Sequence, residues 1–382
     1  MFNNTYIQYV GANDRDLDLF ESQYPLKNGV SYNSYVILDE KIVVMDTIDE
    51  RMSREWLDQL ADVLDGRDID YLVISHLEPD HAANIQTLCQ KYPHMKLIGN
   101  AQTFNMLPNY FDIEGLQERK IVVKEGELLS IGKNSLQFFM APMVHWPEVM
   151  LTYIPEEKVL FSADAFGKFG VLDHEDNWVD EARRYYTNIV GKYGVQVQNV
   201  LKKLPAIEVE TICPLHGPIL TEDLGKYISL YQLWSTYTPE EEGVLIAYSS
   251  IYGHTKQACE QFEKILESQG KKVEIIDLNR THVSEAIGLA FKYSSLVLAS
   301  ASYDGGVFPS MELFLIELLH KNFQNRKVAI MENGSWGPSA ARVIKGYIGQ
   351  MKDMTLIEPI ITLKARANQS NIDQMNEIAK QL

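Results

Sequence analysis

Ten residues set the tightest limits on this chain: Ser75 to Asn84, "SHLEPDHAAN". His76, Glu78, Asp80 and His81 fall within six residues, just after the apolar run "YLVIS". In extended chain, side chains two apart point to the same side. His76 and Glu78 therefore face one point. Pro79 bends the backbone beyond it, so Asp80 and His81 face a neighbouring point. One metal cannot easily use all four from so short a segment, whereas two adjacent metals can. Further ligands are expected at other strand ends, where a rigid scaffold displays functional side chains. "APMVHWPE" places His145 at a turn, "VLFSADAFG" places Asp164 at a strand end, and "TICPLHGP" places His216 after a short apolar run. Any one of these three alone reads as readily as a satisfied polar group, but the first cluster demands partners. Four histidines and three carboxylates suit a metal pair with one bridging carboxylate. His94, His282 and His320 read as surface or core residues.

The three cysteines, Cys89, Cys213 and Cys259, stand far apart and form no Cys-x-x-Cys pair. They exclude a self-contained four-cysteine iron or zinc site, and a reducing cytoplasm is the simplest compartment. No stretch of eighteen apolar residues appears, so no membrane span is expected. The start "MFNNTYIQYVGANDRD" lacks the basic and apolar segments of an export signal. A formal net charge of -17 repels phosphate backbones, which disfavours nucleic acid as a partner.

The 382 residues allow two or three domains, and two grammars are visible. Over residues 1–240, "SYNSYVIL", "KIVVMDT", "DYLVISH", "SLQFFMAP" and "KVLFSADA" predict grouped strands. "RMSREWLDQLADVL" and "ARRYYTNIVGKYGVQVQNVLKKL" have helical spacing. Grouped strands predict a layered α+β arrangement of the αββα kind. "STYTPEEEG", Ser235 to Gly243, reads as a linker. Over 243–382, "GVLIAYSS", "KVEIIDLN", "SLVLASAS", "RKVAIMEN" and "MTLIEPIITLK" alternate with helices. That predicts a five-stranded, doubly wound parallel α/β sheet.

Three loops of this second half look built for a flavin phosphate and ring. The first carries Ser249, Ser250, Ile251, Tyr252, Gly253, His254 and Thr255, and opens a helix whose free N–H groups favour a phosphate. It lacks both dinucleotide and nucleotide-triphosphate glycine patterns. A loop rich in hydroxyls and poor in lysine suits a phosphate monoester such as FMN. The second loop carries Ser302, Tyr303, Asp304, Gly305 and Gly306. The third carries Asn333, Gly334, Ser335, Trp336 and Gly337. Both lie at the carboxyl ends of predicted parallel strands, where such sheets bind ligands.

"HLEPDH", "MVHWPE", "FSADAFG" and "CPLHGP" together resemble the metallo-β-lactamase fold, whose hydrolases carry a histidine where Glu78 stands. A carboxylate there makes the site harder and favours iron over zinc. With the flavodoxin-like second half, the chain resembles the flavodiiron proteins over nearly its whole length. The resemblance implies one iron at His76, Glu78 and His145, a second at Asp80, His81 and His216, and Asp164 bridging. It implies reduction of dioxygen to water or of nitric oxide to nitrous oxide, with electrons arriving through FMN. It also implies a head-to-tail homodimer, or a dimer of such dimers, and a separate donor, rubredoxin or a reduced deazaflavin coenzyme. Trp146 is expected to wall the pocket, Tyr186 or Tyr185 to line the gas site, and His174 to deliver protons. His254 and Asp304 stand where the family often has asparagine. The rival expectations are a zinc hydrolase of the same fold with a regulatory flavodoxin part, and an electron carrier that has lost its metal.

Overall fold

The computed structural model describes residues 4–175 and 177–382. The chain divides into two compact units, Met1–Tyr186 with Val195–Gln232, and Thr187–Gly194 with Leu233–Leu382.

The first unit is a sandwich of two sheets. One sheet runs in the order Ile7–Tyr9, Tyr35–Leu38, Ile42–Met45, Tyr71–Val73, Lys96–Gly99, Lys120–Val122. Its first three strands are antiparallel and the rest parallel. The other sheet runs Leu128–Ser130, Ser135–Met140, Met150–Ile154, Val159–Phe161, Thr211–Cys213. Ile37, Val43, Val73 and Ile98 from the first sheet share one buried cluster with Phe138, Met150, Val159 and Cys213 from the second. Helix Ser53–Leu64 buries Trp56, Leu60 and Leu64, spaced by four to keep one apolar stripe. Asp65 then takes a left-handed conformation and ends it.

The second unit has parallel strands in the order Val273–Asp277, Glu241–Ser249, Tyr293–Tyr303, Lys327–Asn333, Thr355–Leu363. Numbered by sequence, that order is 2-1-3-4-5, the flavodoxin-like winding. Leu245, Leu296, Leu298 and Ile330 belong to one face's core. Val244, Ile246, Val297 and Met331 belong to the other. The period-two alternation sends successive apolar side chains to opposite helical layers, as a sheet covered on both faces requires. Pro359 interrupts the ladder of Thr355–Leu363, an edge strand, where a missing N–H is tolerated. The αββα and doubly wound architectures are both present.

Two local expectations need correction. "STYTPEEEG" is not a free linker. Helix Leu224–Ser235 and strand Glu241–Ser249 occupy its ends, and Tyr237 is buried in the core of the second unit. Arg326 Nη1 donates to the Tyr237 carbonyl at 2.6 Å, so a polar-looking stretch is held by a buried guanidinium. The long helical pattern from Ala182 also breaks, into Trp178–Ile189, a 3₁₀ turn at Gly191–Tyr193, and Gly194–Leu201. Two glycines weaken the helix there. A Cβ on Gly194 would lie 2.3 Å from the Ser235 carbonyl.

No helix among the described residues is long and apolar enough to cross a membrane. Leu298, fully buried on a central strand, gives a test of the packing. Leu298→Ala should cost about 2–5 kcal/mol. Leu298→Met should cost less than about 1.5 kcal/mol. Urea unfolding followed by circular dichroism checks both.

Candidate metal centre and flavin site

Every metal-seeking residue of the first unit stands just beyond a strand. His76 follows Tyr71–Val73, His145 follows Ser135–Met140, Asp164 follows Val159–Phe161, and His216 follows Thr211–Cys213. Pro79 does more than bend the loop. It begins a single helical turn, Pro79–Ala82, where its missing N–H costs nothing. Asp80 and His81 sit on that turn, while Glu78 sits just before it.

The seven side chains form two adjoining groups, His76, Glu78, His145 and Asp164, then Asp80, His81 and His216. In the first, His145 Nε2 lies 3.0 Å from both Glu78 Oε2 and Asp164 Oδ2. His76 Nε2 lies 3.2 Å from Glu78 Oε2 and 3.3 Å from Asp164 Oδ2. In the second, His216 Nε2 is 3.1 Å from His81 Nε2 and 3.2 Å from Asp80 Oδ2. Asp164 turns its other oxygen this way, with Oδ1 at 3.2 Å from His81 Nε2. One carboxylate thus faces both groups, one oxygen to each.

The surroundings fix the imidazoles. His216 Nδ1 lies 2.7 Å from the Ser31 carbonyl, and His76 Nδ1 lies 2.8 Å from Glu148 Oε1. Each contact engages Nδ1 and leaves Nε2 aimed inward as a ligand atom. Asn33 Nδ2 bonds the carbonyls of Pro214 and Gly217 on either side of His216, at 2.8 and 2.7 Å. Glu148, Ser31 and Asn33 were not singled out from sequence. Glu148 lay inside "HWPE", where its distance of three from His145 was the available signal.

Charge explains the protonation. Burial works against a charged His76, but Asp164, Glu148 and Glu78 hold it well above its ordinary value. Burial opposes His145 too, and its close approach to Asp164 and Glu78 lifts it to about 9. Burial would raise Asp164, yet His76, His145 and His81 hold it well below the usual carboxylate range.

The residues expected at the pocket wall are placed unevenly. Trp146 stands edge-on to His76 at 5.1 Å between ring centres. Tyr185 is fully buried with its ring 5.6 Å from His216, whereas the neighbouring Tyr186 packs against Tyr231 at 5.1 Å. Successive helical residues diverge by about 100°, so Tyr185 takes the place expected of Tyr186. His174 is exposed on a loop, and among the described residues no hydrogen bond or ion pair joins it to the cluster. Phe20, unremarked in the sequence, lies 5.3 Å from His216.

In the second unit, the three loops converge on a cavity of about 450 Å³. Ser250, Ile251, Tyr252, His254 and Thr255 line it from the first loop, and Ser302, Tyr303, Asp304 and Gly305 from the second. Asn333 to Gly337 line it from the third, joined by Ala301, Ser339 and Ala365, which sequence pattern did not reveal. Ser249, Gly253 and Gly306 do not line it. Ser249 is buried and bonds Ser310 at 2.8 Å. Gly253 is the left-handed cap, φ 89°, that starts helix His254–Ser268. Gly306 pairs with Tyr303 across a two-residue turn in which Asp304 and Gly305 both have positive φ, 46° and 69°.

Residues 30–217 match the family model described as ODP family beta lactamase. The chain is 26% identical to a nitric oxide reductase of Moorella thermoacetica, over 98% of this chain and 96% of that one. It superposes on rubredoxin:oxygen oxidoreductase of Desulfovibrio gigas with a TM-score of 0.89 and 25% identity, covering 100% of this chain and 96% of that one. The flavodiiron protein of Giardia intestinalis gives a TM-score of 0.90 at 23% identity, over 98% and 94%. Over nearly its whole length the chain is similar to flavodiiron proteins. That likeness, with a His/Asp/Glu cluster able to bind metal, implies FMN and a non-haem di-iron centre as cofactors.

The residues present fit both groups. Both oxygens of Asp80 and of Asp164 are buried and lack a properly formed hydrogen bond among the described residues. Such atoms are costly unless a cation satisfies them. Around the cavity, Trp336 is 97% exposed and Tyr252 90% exposed. Large aromatics left bare at a pocket rim are suited to cover a flat ring.

The raised His145 value fixes a sign for pH. A histidine held above its unfolded value of about 6.5 contributes stability below that pH, lost as pH climbs through the folded value. Metal ligation requires the neutral imidazole and displaces the same proton. The melting temperature of metal-free protein should therefore fall between pH 6.5 and about 9. That of metal-loaded protein should change less, so the gap widens with pH. Calorimetry of both forms measures it.

Proposed function

We propose that the chain is an oxidoreductase that reduces dioxygen to water, nitric oxide to nitrous oxide, or both, using electrons that enter through FMN from an external donor. One observation carries this reading. Glu78 and Asp164 stand with His145 at 3.0 Å from each, so that this group has as many carboxylates as histidines, Glu78 standing where the hydrolases of the fold carry a histidine. Hard oxygen donors favour iron.

When bound, an iron pair would supply the redox chemistry for reducing a diatomic gas, with electrons that the flavin would relay. His76, Glu78 and His145 would hold one iron, and Asp80, His81 and His216 the other. Asp164 would offer one oxygen to each. The near-complete burial of these side chains keeps bulk water from their donor atoms. Trp146 walls one side. Tyr185 stands on the other, where burial and the charges of Asp164, Asp80 and Glu78 push its phenol well above the usual range. Its phenol therefore stays protonated. His174, proposed to deliver protons, lies exposed on a loop.

In the second unit, the N-terminus of His254–Ser268 with Ser250 and Thr255 would hold the FMN phosphate. Tyr252, Tyr303 and Trp336 would flank the ring. The donor is a separate one-electron carrier such as rubredoxin, or a reduced deazaflavin coenzyme. A head-to-tail homodimer would bring one subunit's flavin to the other's irons. The cytoplasm suits three buried, unpaired cysteines.

The test is consumption of dioxygen and, separately, of nitric oxide by anaerobically reduced, iron-loaded protein, beside Asp164→Asn. The wild type should consume at least one gas and hold two irons per chain. The variant should fall to one or fewer, with activity lost at least a hundredfold. Gas consumption by neither form, or an unchanged iron count in the variant, refutes the proposal. A second expectation concerns the flavin. Removing the Asp304 charge beside it favours electron uptake, so Asp304→Asn should raise the flavin reduction potential, read by spectroelectrochemistry.

A further inference from the structure

Two metal positions made of similar ligands differ when their outer surroundings differ. Behind His76 stands Glu148, and both are fully buried. Glu148 Oε1 lies 2.8 Å from His76 Nδ1 and accepts the Leu77 N–H at 2.9 Å. Its main chain is pinned as well, since Asn100 Nδ2 donates to the Glu148 carbonyl at 2.6 Å. Its second oxygen, Oε2, is buried with no hydrogen-bond partner among the described residues. The anionic charge is thus shared between one imidazole and one amide.

The other position has no such backing. His216 Nδ1 meets a neutral carbonyl, that of Ser31, at 2.7 Å. His81 Nδ1 is buried with no partner among the described residues. Asp46 is a buried carboxylate near His81, but its Oδ1 is turned to the amides of Ser75 and His76, at 2.7 and 3.4 Å.

We propose that Glu148 is a positioning residue that makes the two metal positions unequal, so that the iron of His76, Glu78 and His145 is held more tightly and oxidised first. The inference rests on the ligand assignment proposed above. A carboxylate bonded to the far nitrogen of a ligating imidazole fixes its orientation and raises its donor strength. Low dielectric strengthens that polarisation. A stronger donor stabilises the higher metal charge. The step is a single electron transfer: one ferrous ion becomes ferric, the electron passes to an added one-electron oxidant, and no bond to substrate forms or breaks.

The experiment uses FMN-containing protein loaded with ⁵⁷Fe, oxidised stepwise without oxygen by ferricyanide and followed by Mössbauer spectroscopy. In the wild type, the half-oxidised sample should consist mainly of chains with one ferric and one ferrous ion. In E148Q, which keeps the shape and removes the charge, the equilibrium favouring that mixed state should fall at least tenfold. That corresponds to a gap between the two iron potentials narrower by about 59 mV. E148D keeps the charge one methylene shorter and should fall between them. D46N should keep the wild-type gap, and the flavin potential should be unchanged in all three variants. E148Q protein that binds one iron per chain also supports the inference, because one position alone is weakened. E148Q that keeps both irons with an unaltered gap overturns it, as does loss of both irons together or an equal narrowing in D46N. If E148Q yields no folded protein, E148D decides by the same comparison. Wild-type protein holding fewer than two irons would instead refute the ligand assignment.

Discussion

Asp164 is a buried carboxylate with imidazoles at 3.0 to 3.3 Å from its two oxygens. The design of the first unit comes from keeping that anion in place. A charge so far from water persists only with opposite charge or metal around it. The histidines around it, and the metal ions that Glu78 and Asp80 would help to hold, meet that demand, and these residues can converge only if several strand ends lie side by side. The sandwich provides this: strand ends from both sheets contribute to one cluster.

The outer ring of contacts is as ordered as the inner one. Glu148, Ser31 and Asn33 fix the histidines from behind, and Asn100 fixes Glu148 in turn. These partners cost conformational entropy but remove the freedom that would let the imidazoles rotate away in the absence of metal. The second unit works differently. Its loops leave aromatic faces bare at a cavity rim, a surface shaped for a planar molecule.

The sequence revealed the two architectures and the seven metal-seeking residues because both depend on local pattern. Period-two apolar runs mark covered strands whatever lies around them. The six-residue span from His76 to His81 is too dense in donors to be accidental. Tyr185 and Tyr186 show where pattern ends. Adjacent tyrosines on a helix are equivalent in sequence, and only packing decides which one turns inward. Glu148 is visible within its motif but has no legible role there, because the partner of a ligand depends on how two loops meet in space. The stretch around Tyr237 misled for a related reason. Its polar composition suggested solvent, while its backbone is claimed by Arg326, distant in sequence.

Trp336 and Tyr252 stand almost wholly in solvent. Two large aromatic faces this open, at the rim of one cavity, form a surface on which a planar group loses most of its contact with water.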